Sequence, residues 1–136
     1  MPTDSHHLAR AVARLNRRLR QERKTDLTPT QLSVLGAVRT LGPSTPSAIA
    51  AHERVRPPSI TRTLSCLVDE GLARREPHPD DGRQVLISVS DKGEATLAAE
   101  RARRDEWLDH RLAQLTTPER KTLREATALL EKLANT

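Results

Sequence analysis

The chain has 136 residues, which is enough for one domain with a core of its own but too few for two independent domains. Its 23 Lys and Arg residues outnumber its 18 Asp and Glu residues, and the resulting formal charge of +5 is compatible with a polyanionic partner. A single cysteine excludes a disulfide framework and a multi-cysteine zinc site, and the lack of a secretory signal or a membrane-length apolar run predicts a cytoplasmic protein that does not enter a membrane.

The first predicted helix covers residues 4–25 and has one apolar face. Apolar side chains recur at i, i+4, i+7 and i+11, which puts them on the same side of the helix. They are Leu8, Val12, Leu15 and Leu19. Residues 1–27 also hold seven basic and three acidic side chains, so most of the charge excess lies here. Such a basic run is typical of a solvated helix face, with a nucleic-acid site as the alternative.

Two short helices with proline at their starts are predicted next. Thr28 is expected to cap the first of them, with Pro29 at its first position and Gln31 closing a capping box. This helix ends at a Gly-Pro stop, and its apolar face consists of Leu32, Leu35, Val38 and Leu41. Thr45-Pro46-Ser47 repeats the cap-and-proline signature and opens the third helix.

A fourth helix begins at two consecutive prolines, Pro57 and Pro58. Because the residue before a proline avoids the helical region, the chain is expected to break at Arg56, and the two rings give the helix a rigid start. Its predicted buried stripe consists of Ile60, Leu64, Leu67 and Val68. At about 100° per residue, four side chains point away from this stripe and can meet a partner. They are Ser59, Arg62, Ser65 and Cys66.

A β-hairpin and two long helices complete the predicted elements. Strands over residues 72–76 and 84–90 flank a turn with Asp-Gly and proline chemistry, and apolar residues alternate along the second strand. Ser90 or Asp91 is expected to cap a long helix, and Thr116 to start the last one. The apolar face of the last helix consists of Leu123, Ala126, Leu130 and Leu133.

These elements predict a mainly α fold with a small β-hairpin, arranged as a winged helix-turn-helix over residues 28–90. In this architecture the fourth helix enters the major groove of DNA, and the hairpin, or wing, follows the backbone or the minor groove. The flanking helices, over residues 4–25 and 91–135, cannot bury their apolar faces against so small a lobe. We therefore expect one domain of residues 1–136 that forms a homodimer through these faces.

Four segments in register resemble the MarR family of bacterial transcriptional regulators. They are Ser59-Ile60-Thr61-Arg62, Gly71-Leu72-Ala73-Arg74-Arg75, Asp81-Gly82-Arg83 and Val89-Ser90-Asp91-Lys92-Gly93. The resemblance implies a homodimeric repressor that binds a palindromic operator in double-stranded DNA and is released by an unknown small-molecule effector or by oxidation. It also implies that the effector site lies between the DNA-binding lobe and the dimer helices.

Candidate DNA contacts follow from the docking geometry of this fold. Ser59, Thr61 and Arg62 lie in the first turns of the fourth helix, where base edges are read, and Arg62 suits bidentate reading of guanine. The alternative for Arg62 is a phosphate contact or a plain surface arginine. Further contacts, chiefly to the DNA backbone, are expected from Ser47, Arg54, Arg56 and Pro57. For Ser47 the alternative is a plain residue of the first helical turn.

The wing tip is expected to reach the minor groove. Many members of the family carry paired arginines here, whereas this chain has Gly82 and Arg83, so minor-groove reading of an A·T-rich flank rests on Arg83 alone. Asp81 is expected to orient the loop by pairing with Arg75. The alternative for Arg83 and Asp81 is a solvated turn.

Two other classes of function fit the residues less well. No enzyme, cofactor or metal site is expected, because the five histidines are scattered and no phosphate loop or nucleophile motif occurs. The alternative function is a sequence-independent basic nucleic-acid-binding protein, but such modules use aromatic platforms and this chain has one Trp and no Phe or Tyr. Cys66 is a candidate redox residue because it lies one turn from Arg62, with an inert surface residue as the alternative.

Overall fold

The computed structural model describes residues 3–136, and within them it has six helices and one antiparallel hairpin. In chain order the elements are α1 (Asp4–Gln21), α2 (Pro29–Leu41), α3 (Pro46–Glu53), α4 (Pro57–Asp69), β1 (Ala73–Pro77), β2 (Val85–Val89), α5 (Asp91–Ala113) and α6 (Thr117–Ala134). The order and type of these elements match the sequence-based prediction, so the mainly α, winged helix-turn-helix fold is confirmed.

Side-chain caps start most of the helices where the sequence predicts them. Thr28 Oγ1 accepts from the backbone N–H of Gln31 at 3.1 Å, and Gln31 Oε1 accepts from the backbone N–H of Thr28 at 2.9 Å, which completes the capping box. Thr45 and Thr116 cap α3 and α6 through their hydroxyl oxygens. Ser90 caps α5 by accepting a backbone N–H at 3.0 Å. The helix starts are therefore determined by local sequence.

A left-handed glycine connects α4 to the hairpin. Gly71, with φ 77°, forms a Schellman motif in which the N–H of Leu72 donates to the carbonyl oxygen of Leu67 at 2.9 Å. In the loop after α2, Ser44 makes two backbone hydrogen bonds to Ile87 of β2, at 2.8 and 3.1 Å. This bridge ties the hairpin to the helices, and no local pattern in the sequence predicts it.

The hydrophobic core lies between α2, α3, α4 and the hairpin. It consists of Val34, Leu35, Val38, Ile49, Ala50, Ile60, Leu64, Leu67, Leu72, Ala73 and Ile87. The predicted apolar face of α2 was partly wrong, because Leu41 is exposed while Val34 and Ala37 are buried. The reason is that α2 contacts α3, α4, α5 and β2 and so buries more than one side.

The helices outside the lobe add almost nothing to this core. Neither α1 nor α6 contains a buried residue, and α5 contains one, Gly93. The prediction of a first helix over residues 4–25 was wrong at its end, since α1 ends at Gln21. There the N–H groups of Glu22 and Arg23 donate to carbonyl oxygens three residues back, at 3.3 and 3.2 Å, which tightens the last turn. Glu22, Arg23 and Lys24 are good helix formers and do not signal this stop.

Candidate nucleic-acid interface

One side of α4 is buried and the other is exposed. The buried side packs into the core through Ile60, Leu64 and Leu67. Ser59 and Arg62 are exposed, and Arg62 is the only basic residue of the helix. The helix therefore has the form of a recognition helix, with its single cation in the second turn and available to a partner.

The N-terminus of α4 is built on prolines. Arg56 is the extended N-cap residue, without a side-chain capping bond, and Pro57 and Pro58 occupy the first helical positions. The side chain of Arg56 is exposed. Thr61 is also exposed, but its hydroxyl donates to the carbonyl oxygen of Pro57 at 3.0 Å. Towards a partner, the Thr61 hydroxyl can therefore only accept a hydrogen bond.

Arg54 ends α3 in a left-handed conformation, with φ 56° and ψ 43°. It is the only non-glycine residue with positive φ among residues 3–136. This region costs an ordinary residue about 1–2 kcal/mol, and strain of this kind is often found at functional positions. The Arg54 side chain is exposed, as is Ser47 in the first turn of α3. Arg54 thus adopts a backbone conformation that arginine does not favour.

We expect Arg54→Asn to separate stability from DNA binding. Asparagine tolerates the left-handed region, so the free energy of unfolding should stay the same or rise by up to about 1 kcal/mol, while affinity for DNA falls. Thermal unfolding and a DNA titration of the same preparation measure both effects. Arg56→Ala is the control, because it removes a neighbouring charge without relieving strain. If Arg54→Asn bound DNA as tightly as the wild type, Arg54 would not be part of the interface.

The wing tip presents Arg83 and holds it through Asp81. The side chain of Arg83 is 93% exposed. Asp81 Oδ1 accepts from the backbone N–H of Arg83 at 3.0 Å and from its Nε at 3.3 Å. These two bonds, the backbone bond first, hold the pKa of Asp81 below its usual value. The carboxylate therefore stays charged near neutral pH and fixes the turn from which Arg83 projects.

The predicted pairing of Asp81 with Arg75 was wrong. Arg75 lies in β1 opposite Ile87, in the middle of the hairpin and away from its tip. Its Nη2 makes a long hydrogen bond of 3.5 Å to Ser65 Oγ in α4. Arg75 therefore joins the wing to the recognition helix, and Asp81 takes its partner from within the turn.

Exposed apolar side chains lie along α1 and α6. Leu19 and Ala126 are partly buried, whereas the other six predicted dimer residues have exposed fractions of 39% to 61%. They are Leu8, Val12, Leu15, Leu123, Leu130 and Leu133. Leu129, at 61%, extends this surface and was missed, although it lies one turn after Ala126. Apolar surface of this extent is typical of an association site.

A cleft of about 650 Å³ lies where α1, α2, α3 and α5 meet. Leu19 and Leu32 contribute apolar surface to it. Both carboxylate oxygens of Glu100 are buried without a hydrogen-bond partner among residues 3–136, although Oε1 lies 3.4 Å from Arg103 Nη2. The same holds for Nη1 of Arg23, another lining residue. The cleft brings together residues that no single sequence motif connects.

A cation–π contact joins α5 to α1, and an ion pair joins α5 to α2. The guanidinium carbons of Arg18 in α1 and Arg111 in α5 lie 5.5 and 5.2 Å from the ring centroid of Trp107, which is a cation–π arrangement. Arg39 of α2 pairs with Glu94 of α5 at 2.8 Å. Arg39 also lines the cleft, so this ion pair between the lobe and a flanking helix lies at its edge.

In residues 3–136, no group of three or more His, Cys, Asp or Glu side chains is arranged to hold a metal ion. No helix in this part of the chain is long and apolar enough to cross a membrane. Cys66 has a free thiol and is exposed on α4.

Comparison with known proteins agrees with the fold. Residues 27–85 match the sequence model of the MarR family. An HTH-type transcriptional regulator of Mycobacterium tuberculosis is 48% identical over 131 residues, which are 94% of this chain and 90% of that protein. A crystal structure of a transcriptional regulator protein from Pseudomonas aeruginosa has a TM-score of 0.87 and 38% identity, and 99% of each chain is covered. A variant of MepR from Staphylococcus aureus, bound to an oligodeoxyribonucleotide, has the same fold, with a TM-score of 0.73, 21% identity and coverage of 96% of this chain and 98% of that one. The chain belongs to the MarR family of transcriptional regulators.

Proposed function

We propose that this regulator is a cytoplasmic, homodimeric repressor that binds a palindromic operator in double-stranded DNA. The observation that carries the proposal is the combination of an exposed Arg62 on α4 with an exposed Arg83 on the wing. A helix in the major groove and a wing arginine in the minor groove are the two contacts that this docking geometry uses. Repression follows because a dimer on its operator excludes other proteins from the same stretch of duplex.

Backbone contacts would set the register of the lobe on the duplex. Exposed Ser47, Arg54 and Arg56 offer a hydroxyl and two guanidinium groups to phosphates. Pro57 has no N–H to donate, so its ring would pack against the sugar-phosphate backbone. On this proposal these four residues supply affinity without sequence preference, while Ser59, Thr61 and Arg62 read bases.

The exposed apolar faces of α1 and α6 support the homodimer. A two-fold axis buries the same patch of both copies at once, which is the usual solution for such faces in soluble oligomers. It also gives two recognition helices related by symmetry. A palindromic operator is the DNA counterpart of that symmetry.

Release from DNA is proposed to follow effector binding in the cleft between the lobe and the flanking helices. Its walls belong to α2 and α3 of the lobe and to α1 and α5, so an occupant can favour one angle between the lobe and these helices over another. Glu100 and Arg23 would offer to the occupant the polar atoms that lack a hydrogen-bond partner. Oxidation of Cys66 is the second release route, because a modified sulfur on α4 would stand between the helix and DNA.

Selection of bound sequences from random duplexes tests the proposed function. We expect the pool to converge on a palindrome whose half-sites lie about one helical turn apart, bound on the order of 10³-fold or more tightly than random DNA at the same salt concentration. A pool that binds but shares no sequence would contradict the proposal. It would favour a sequence-independent nucleic-acid-binding protein instead.

Replacement of the two arginines should have different effects on readout. We expect Arg62→Ala to lose about 1–3 kcal/mol of binding free energy on the cognate site and to relax the preference at one base pair per half-site. Arg83→Ala should instead weaken binding to operators with A·T-rich flanks. It should also reduce the slope of log affinity against log salt concentration by about one, while the base preference in the core of the operator stays unchanged. Titrations with randomised half-sites and with randomised flanks measure the two effects. If both variants lost the same binding free energy on every DNA sequence, both arginines would contact phosphates only.

A further inference from the structure

The wing loop is organised around an imidazole that the proposed function does not use. His78 is half-buried and directly follows β1. Its Nδ1 lies 3.0 Å from the backbone nitrogen of Asp80 and 3.2 Å from that of Asp81. A backbone N–H can only donate, so Nδ1 accepts both bonds with its lone pair and the ring proton is on Nε2. This loop conformation therefore requires a neutral imidazole.

A chain of hydrogen bonds leads from His78 to the wing arginine. The N–H of His78 donates to the carbonyl oxygen of Gln84 at 3.1 Å, and the N–H of Gln84 donates to that of Asp81 at 3.0 Å, which closes the loop. Asp81, held by the imidazole, accepts from the backbone and the guanidinium of Arg83. The position of Arg83 thus depends on Asp81, and the position of Asp81 depends on His78.

We propose that His78 is a positioning residue of the wing, and that protonation of its ring in mildly acidic solution releases the loop and weakens DNA binding. A protonated Nδ1 becomes a donor that faces two other donors, so both bonds are lost. Histidine is the side chain that normally changes charge between roughly pH 5 and 8. The inference rests on the proposed function, because it assumes that the wing contacts DNA.

The other charged side chains of the hairpin do not explain a loss of DNA affinity in mildly acidic solution. They are Arg74, Arg75, Glu76, Asp80, Asp81 and Arg83. The pKa of Asp81 is lowered, chiefly by the hydrogen bonds from Arg83 and to a smaller degree by attraction to His78, so its carboxylate is ionised in mildly acidic solution. Helices α2, α3 and α4 contact the strands, and no charged side chain is buried in the core of the described residues. Coulomb attraction alone predicts the opposite result, because a new positive charge near DNA would strengthen binding.

The decisive variant is His78→Asn. An asparagine Oδ1 accepts the N–H two residues further on, as in an Asx-turn, and does not titrate. Affinity of the dimer for an operator with A·T-rich flanks is measured between about pH 7.5 and about pH 5.5 at constant ionic strength. We expect the wild type to lose about fivefold in affinity and His78→Asn to lose less than about twofold. His78→Ala, which lacks the acceptor, should bind weakly at both ends of the range.

Backbone amide resonances of the free dimer separate failure of this inference from failure of the proposed function. In the wild type, the amide signals of Asp80 and Asp81 should move with the titration of the imidazole. Parallel pH profiles of wild type and His78→Asn, or tighter wild-type binding in acid, would overturn the role of His78 and leave operator binding intact. If the protein binds no duplex, the proposed function fails, and the amide titration alone decides whether His78 holds the loop.

Discussion

Leu130→Asp is expected to dissociate or unfold the protein and to abolish operator binding. Leu130 is 39% exposed within one protomer and lies on the apolar face of α6 together with Leu123 and Leu133. In the proposed dimer this face is buried against the second copy, and an unpaired carboxylate there costs several kcal/mol, once in each protomer. Sedimentation and an operator titration measure the two losses.

Ala128→Asp is the matched control for this variant. Ala128 is exposed and lies on the side of α6 opposite Leu130, so the same charge is added to the same helix outside the apolar face. It should remain dimeric and should bind the operator. A wild-type monomer at micromolar concentration, or a dimeric Leu130→Asp variant with normal operator binding, would contradict the proposed dimer.

Gly93→Ala is expected to lower the free energy of unfolding by about 3 kcal/mol, because overpacking against a backbone atom cannot be relieved by a rotamer change. Gly93 is buried in the first turn of α5, where this helix meets the base of the hairpin. A methyl group there would overlap the carbonyl oxygen of Leu72 and lie 2.7 Å from Val89 Cγ2. Denaturant unfolding measures the loss.

Gly36→Ala provides the contrast within the same protein. Gly36 is in the interior of α2, its φ is not positive, and a methyl group there would meet nothing within 4 Å. Alanine should therefore raise the free energy of unfolding by about 0.5–1 kcal/mol through its better helix propensity. If both glycine variants were equally stable, the close approach of α5 to the hairpin would not hold in solution.

The elements of this fold could be predicted because their signals are local. The Thr28 capping box, the proline start of α4 and the glycine at its end each act within a few residues. The apolar spacing on α6 likewise predicted the exposed face, apart from Leu129. Such features are encoded in short segments, so they can be predicted without knowledge of the rest of the fold.

What the sequence did not reveal depends on contacts between distant segments or on side-chain geometry. The bridge from Ser44 to Ile87 joins residues far apart in the chain, and burial of α2 on several sides follows from its place among four elements. The partner of Asp81 was mistaken because Arg75 and Arg83 are both near in sequence, and only the hairpin register separates them. His78 gave no signal, because a single histidine in a loop does not show which of its nitrogens accepts a hydrogen bond.

Sequence-specific operator recognition is tested by comparing the affinity of the wild-type protein for the selected palindrome with its affinity for a scrambled duplex of the same composition and length, at one fixed salt concentration. We predict a ratio on the order of 10³ or more, with two protein chains bound per palindrome. Equal affinity for the two duplexes would contradict sequence-specific operator recognition by this protein.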